Sequence, residues 1–415
     1  MRIRFITEGL PYVPARDGYR MYSGNLLRAL ARRHDIELLT LIDACDVDRI
    51  DLVRPYCASV TVVPRERRTL PRKIAGMVSV YLGGRYRNIE RRLREAAAKR
   101  RLDHCDVTHV EGSLMAGAVT PDMAPGVLSV HDSETLRCQE MALCTEDPKL
   151  KLYYRLLERY ASRYQRLAYP RFARCVVVAE RDRQAIRQVV PDCRVEVIPH
   201  GLDTDYFHPM SVQKEPCQLV FHGNLSFPPN VDAVHGFLEE VLGPVRSQLP
   251  GTTFHVIGAD PVPAIRELDT RGDVRLSANL EDLRPSVCAG AVYVCPVRRG
   301  GGLKNKLLEA MAMAMPIVCY PASADAIEGI DGRHFLIART PKQFAELVVS
   351  LLRNPSRGTA LGLEGRRLVM EEYSWDSRAR TYERLYQAVL DEALCRATNS
   401  RHATLRSAWT ATTRS

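Results

Sequence analysis

The strongest constraint on this chain is a rhythm in its hydrophobicity. Short apolar runs alternate with helix-length segments, give way to a polar stretch after His200, and begin again at Gln218. The first series contains MRIRFIT, DIELLTLI (Asp35 to Ile42), SVTVVP (Ser59 to Pro64), DVTHVEG (Asp106 to Gly112), GVLSVHD (Gly126 to Asp132), CVVVAE (Cys175 to Glu180) and VEVIPHG (Val195 to Gly201). The second contains QLVFHGN (Gln218 to Asn224), TFHVIG, DVRLSA, VYVCPV (Val292 to Val297), PIVCYP and HFLIA (His334 to Ala338). Strands this apolar are buried on both faces, so they belong to parallel sheets covered by helices. Two such series predict two Rossmann-like α/β domains. The length agrees, since 415 residues exceed what one ordinary core supports.

The expected organisation is an N-terminal domain over 1–199, a linker over 200–216, and a C-terminal domain over 217–376. A helix over 377–394 is predicted to return to the N-domain. The polar residues 395–415 are expected to be disordered. A helix is also expected from Met21 to Arg33 after the first strand. No apolar run reaches the roughly 18 to 20 residues of a membrane span, and the N-terminus lacks the apolar region of a signal peptide, so a cytoplasmic location is expected. The twelve cysteines are scattered without a CxxC pair, which reads as buried thiols in a reducing compartment. The net charge of +10 suits phosphate-bearing ligands, nucleic acid or an anionic membrane, and charge alone does not choose among them.

The segment richest in chemistry is VYVCPVRRGGGLKNKLLEAMAMAMPIVCYP. A strand ends at Pro296, glycines occupy 300 to 302, and a helix begins near Leu303. Glycines at such a turn let backbone N–H groups approach an anion, and the helix N-terminus adds positive potential. A diphosphate fits there, with Arg298, Arg299, Lys304 and Lys306 as sources of positive charge. Leu303, Leu307, Leu308, Met311 and Met315 form the apolar stripe, whereas Asn305 and Glu309 share another face. Glu309 then has two readings. It pairs with Lys306 on a solvated face, or its two oxygens receive the vicinal hydroxyls of a ribose.

These residues resemble the donor signature of the family 4 (group 1) retaining glycosyltransferases, a glycine-rich loop followed by LEAMA, a small residue and PVV. FHGNLSFPPNVDAVHGFLEEVLGPV resembles that family's first C-domain strand and helix, FHVIGADP its second strand, VIPHGLDTDYF its interdomain segment and YSWD (Tyr373 to Asp376) its frequent close. The resemblance implies a GT-B fold, two Rossmann-like domains with parallel sheets facing across a cleft. It implies a nucleotide-diphosphate sugar as donor, with no separate cofactor and no metal. The donor-binding set it implies is Gly223, Asn224, Arg298, Gly300, Gly301, Gly302, Leu303, Lys304, Asn305, Lys306 and Glu309, with Glu309 on the ribose. The chain departs from the family at two places. Gly301 stands where a sugar-contacting glutamate is usual, and no arginine and lysine follow the first C-domain strand. The glycines and basic helix start resemble a subgroup associated with exopolysaccharide gene clusters.

EGLPYVPARDGYRMYSGNLLRAL resembles the loop between the family's first strand and helix, which implies a catalytic role for Asp17 and acceptor-side roles for Gly18 and Arg20. His131 follows the strand GVLSV, at the edge where α/β sheets bind ligands, and suits a contact to the sugar or proton transfer from the acceptor hydroxyl. Glu111 ends another strand and is an expected acceptor contact. The acceptor itself, whether saccharide, lipid-linked or small molecule, is open. The basic stretch Pro64 to Arg101 reads either as a peripheral membrane patch or as ordinary helices with a solvated face. No nucleic-acid motif is present. The triplets Asp46-Val47-Asp48 and Asp203-Thr204-Asp205 are read as surface loop and linker rather than metal sites. The competing functions are a non-catalytic sugar-nucleotide-binding paralogue, motivated by Gly301, and a GT-B sugar-nucleotide epimerase.

Overall fold

The computed structural model describes residues 1–14, 18–65, 95, 105–118, 125–145, 147–298 and 303–412. The chain divides into two compact units. One comprises Met1–Gly201 with Arg378–Ser415, the other Leu202–Ser377.

The first unit is built on a parallel sheet in the order β3-β2-β1-β4-β5-β6-β7. Its strands are β1 (Arg2–Thr7), β2 (Asp35–Ile42), β3 (Ser59–Pro64), β4 (Val107–Glu111), β5 (Gly126–Ser129), β6 (Arg174–Val177) and β7 (Val195–Val197). β1 pairs with β2 on one side and with β4 on the other, so the strand order reverses direction at the β1/β4 boundary. Loops leaving the carboxyl ends of the strands at such a point diverge and leave space for a ligand. β4 is unusual for a central strand. All five of its residues are buried, yet they include Thr108, His109 and Glu111, each with no exposed surface. Buried polar groups of this kind must find partners among themselves.

The second unit repeats the plan with the order β10-β9-β8-β11-β12-β13. The strands are β8 (Gln218–His222), β9 (Thr253–Gly258), β10 (Val274–Ala278), β11 (Val292–Cys295), β12 (Ile317–Cys319) and β13 (Leu336–Ile337). Here the order reverses at β8/β11. The core on the sheet faces joins Phe221, Phe237, Phe254 and Phe344 to Leu307, Leu308 and Met311 of the helix Asn305–Ala312. The stripe read from the sequence is therefore what seats that helix, and it leaves Asn305 and Glu309 off the core face.

Three sequence-based expectations differ from the structure. The first helix spans Gly18–Ala31 rather than Met21 to Arg33. The segment expected to be a linker groups with the second unit from Leu202 onward. Leu202 N donates to Tyr373 O at 2.6 Å, Arg284 Nη1 to Tyr206 O at 2.7 Å, and the Arg284 guanidinium lies over the Tyr206 ring. The final helix, Trp375–Thr412, continues through the region expected to be disordered. No glycine or proline interrupts that stretch, and its alanines, leucines and arginines favour helix. No helix among the described residues is long and apolar enough to cross a membrane.

Candidate functional site

Each unit carries a cluster of polar side chains at the carboxyl edge of its sheet. In the second unit, Glu309 projects from the helix Asn305–Ala312 toward His222, the last residue of β8. The two meet at 2.7 Å between His222 Nε2 and Glu309 Oε2. An ionised carboxylate can only accept, so Nε2 carries the proton. The His222 side chain is 3% exposed and that of Glu309 21%, so the imidazole forms the floor and the carboxylate faces outward. His222 Nδ1 is buried with no hydrogen-bond partner among the described residues, and the ring packs edge-on to Tyr293.

Lys306, one turn earlier, does not pair with Glu309. Its ammonium bonds to Asn230 Oδ1 and lies 4.8 Å from the centre of the Phe221 ring. Burial lowers the Lys306 pKa from its ordinary value. Asn230 in turn donates to Asn224 O at 2.7 Å. Gly223 is the gap that admits this arrangement, because a Cβ there would stand 2.9 Å from both Lys306 Nζ and Asn230 Nδ2. The first-turn amides of the helix and the half-buried Lys304 complete the described part of this edge.

Other expected donor-site residues are placed differently. Arg298 is committed to Glu240 through two bonds of 2.7 and 2.8 Å and to Tyr320 Oη at 3.0 Å. Its fork is filled by a carboxylate, so it does not present a free guanidinium to phosphate. Asn224 uses Oδ1 to cap the turn at Ser226. Leu303 packs against the core, and Asn305 is exposed. Gly300, Gly301 and Gly302 lie outside the described residues.

In the first unit, the buried polar groups of β4 form one connected chain. Tyr386 Oη, from the final helix, lies 2.8 Å from His109 Nδ1. His109 Nε2 lies 2.7 Å from Glu111 Oε1. Glu111 Oε2 is 2.9 Å from His131 Nε2, at ion-pair distance but without hydrogen-bond alignment. Proton placement follows from one end. Tyr386 donates to Nδ1, Nε2 donates to the carboxylate, and the carboxylate faces His131. Burial by itself would raise the Glu111 pKa, but the His131 and His109 imidazoles more than reverse this and hold it at about 2. Around His131 stand Tyr22 at 4.2 Å edge-on, Tyr19 at 5.6 Å and His200 stacked at 5.8 Å between ring centres. Burial, with His131 beside it, pushes the His200 imidazole down to about 4. His131 has a left-handed backbone, φ 53°, which residues with a Cβ rarely adopt.

One acceptor-side expectation is corrected by this geometry. Glu111 is fully buried with each oxygen facing an imidazole, so it has no surface to offer an acceptor. Arg20 is bound to Asp46 at 2.8 Å and Asp43 at 3.3 Å. Gly18 begins the first helix with open space about its Cα. Asp17 lies outside the described residues, as does the basic stretch 64–101 apart from Pro64, Arg65 and Glu95. The aspartate triplets have structural partners. Asp46 is buried between Arg20 and Arg49, and Asp203 accepts from the backbone of Asp205 and Tyr206. Among the described residues no cluster suits a metal ion. The sequence reading missed His222, Asn230, His109 and Tyr386. For His222 and His109 a signal existed, a histidine carried by a segment that reads as a buried strand.

Comparison with known proteins matches these two halves separately. The model for Glycosyltransferase Family 4 covers residues 17–206, and that for Glycosyl transferases group 1 covers residues 216–354. The chain is 27% identical over 228 residues to the alpha-maltose-1-phosphate synthase of Mycolicibacterium smegmatis, covering 48% of this chain and 58% of that protein. It is 29% identical over 126 residues to a GDP-mannose-dependent monoacylated alpha-(1-6)-phosphatidylinositol monomannoside mannosyltransferase of Corynebacterium glutamicum, covering 26% of this chain and 31% of that protein. The chain thus spans less than two thirds of the curated relatives it matches. Among solved structures it resembles sucrose-phosphate synthase from Thermosynechococcus elongatus, with TM-score 0.64 and 14% identity over 94% of this chain and 100% of the other. It also resembles Anabaena HepE in complex with UDP, with TM-score 0.57 and 12% identity over 94% and 100%. These two likenesses concern the fold, two parallel α/β sheets of the GT-B type.

Proposed function

We propose that the chain is a GT-B glycosyltransferase that moves a sugar from a nucleotide-diphosphate donor to a hydroxyl acceptor, with the donor held in the second unit by Glu309 and Lys306. The observation that carries this reading is the arrangement at the carboxyl edge of β8. Glu309 is fixed from below by His222 while part of its carboxylate stays exposed, which is what accepting two ribose hydroxyls requires. Beside it stands the half-buried Lys306, whose ammonium packs over Gly223 and supplies positive charge for a diphosphate. A cation held partly out of water interacts strongly with a departing diphosphate, whose charge grows as the bond to the sugar carbon breaks.

Lys306, rather than Arg298, is the principal phosphate-binding cation in this reading, since Arg298 is engaged by Glu240. His131 is the group of the first unit that takes part, through a polar contact to the acceptor hydroxyl. Retention of anomeric configuration, independence of metal and a role in polysaccharide synthesis are further parts of the proposal and rest on the family resemblance. HepE was solved with UDP, and with UDP and glucose, so a uridine donor carrying a hexose is the first to test.

The test is a thermal-shift titration with a panel of nucleotide sugars, followed by transfer and hydrolysis assays. A donor at about 100 times its Kd adds about 2.7 kcal/mol to the stability of the state that binds it. Glu309→Ala should abolish the shift while leaving the unliganded melting temperature within a few degrees. An unchanged donor shift in that variant would sink the assignment. Donor binding without turnover would instead support a non-catalytic paralogue, and donor conversion without acceptor an epimerase.

A further inference from the structure

We propose that Glu111 is a positioning residue, a buried carboxylate that fixes the His131 imidazole at the sheet edge and is itself anchored through His109 to Tyr386. The inference rests on the reading of His131 as a participant in transfer. Four observations carry it. Glu111 has no exposed surface, so it cannot touch a substrate. Its two oxygens are divided between two imidazoles, 2.7 Å from His109 and 2.9 Å from His131. The far end of the chain is Tyr386, on a helix distant in sequence, which contacts His109 at 2.8 Å. His131, the only member of the chain with exposed side-chain surface, at 14%, is held in a left-handed backbone conformation.

A carboxylate is a costly choice for the end of a central strand. Desolvating it loses several kcal/mol that good pairing only roughly recovers, and apolar residues usually fill such a place at lower cost. Sheet packing therefore does not call for Glu111. Orientation of an imidazole does, because a carboxylate 2.9 Å from His131 Nε2 draws that edge of the ring toward itself and leaves the other nitrogen for chemistry. Phe5 stacks on the His109 ring at 4.6 Å and Tyr382 meets it edge-on, which keeps the anchoring histidine from rotating. Tyr22, whose hydroxyl lies 2.8 Å from that of Tyr382, walls the His131 ring on another side.

The experiment compares Glu111→Gln, Glu111→Asp, His131→Ala and the double variant Glu111→Gln/His131→Ala in the full chain. Glu111→Gln should lower kcat at least tenfold, with donor thermal shift and acceptor KM changed less than about twofold. Glu111→Asp should recover part of the loss, and the double variant should be no slower than His131→Ala alone. A raised acceptor KM with kcat preserved would show a direct acceptor contact. Loss of stability with kcat intact would show a purely structural role. Either result overturns the proposal. A second readout needs no turnover. The imidazole nitrogen NMR spectrum of His131 should differ between wild type and Glu111→Gln, and an identical spectrum also overturns it. If the wild-type chain transfers no sugar while that spectrum changes, the proposed function fails and the positioning contact stands.

Discussion

Gly258 ends β9 against the backbone of Gly223, where an added Cβ would stand 1.8 Å from the Gly223 carbonyl oxygen and 2.9 Å from Leu225. Backbone cannot yield as a flexible side chain can, so the loop that frames Lys306 would have to shift. Gly258→Ala is expected to destabilise the second unit by about 2–3 kcal/mol, read by urea unfolding, and to weaken the donor thermal shift. A variant with wild-type stability and donor shift would contradict this account of the loop. Residue by residue, the site was unequally legible before folding. Glu309 and Lys306 were legible because a helix repeats every 3.6 residues and separates its faces by arithmetic. Their partners were not. Nothing in local spacing ties Glu309 to His222 or Lys306 to Asn230, each more than seventy positions away.

Among the elements, β4 and the final helix depend on one another. Tyr386 supplies the hydroxyl that satisfies buried His109, and Glu383 of the same helix meets Arg33 at 2.7 Å and His34 at 3.0 Å. Glu392 similarly binds Arg194 at 2.7 Å and pairs with Arg174. Tyr386→Phe removes one partner and leaves His109 Nδ1 buried and unpaired, so a loss of about 1–2 kcal/mol is expected in chemical denaturation. No measurable loss would mean that water or another group replaces the tyrosine. Most of the strands could be read in advance, as short apolar runs of the length a parallel sheet requires. The helix end could not. Polar composition near the C-terminus suggested disorder, whereas the absence of glycine and proline allowed the helix to continue.

The whole chain combines titrating groups of opposite sign, which sets its response to acid. His200 in the first unit and His255 in the second are both pushed by burial to about 4. A histidine pKa lowered on folding gives stability that is complete above about 6.5 and is lost as pH falls toward 4. Glu111, held at about 2, adds stability above about 4.5 that disappears at still lower pH. Glu8 and Glu134, whose burial raises their pKa, work the other way and offset part of the loss. The expected outcome is a melting temperature that declines between pH 6.5 and 4. His200→Asn should flatten that decline, His200 contributing at most about 3 kcal/mol. A decline unchanged in this variant would remove His200 from the explanation.

The sequence by itself determined the class of fold, the restart of the α/β pattern at Gln218 and the helix that carries Glu309. Each of these depends on hydrophobic periodicity within a few consecutive residues. Only the tertiary structure decided that Arg298 serves Glu240, that Arg20 serves Asp46, and that Glu111 faces two histidines rather than a ligand. Charged side chains are long, and each settles on the opposite charge that folding brings within reach. That partner is fixed by the packing of distant segments, so residue type marked these positions as chemically capable while geometry assigned what each one does.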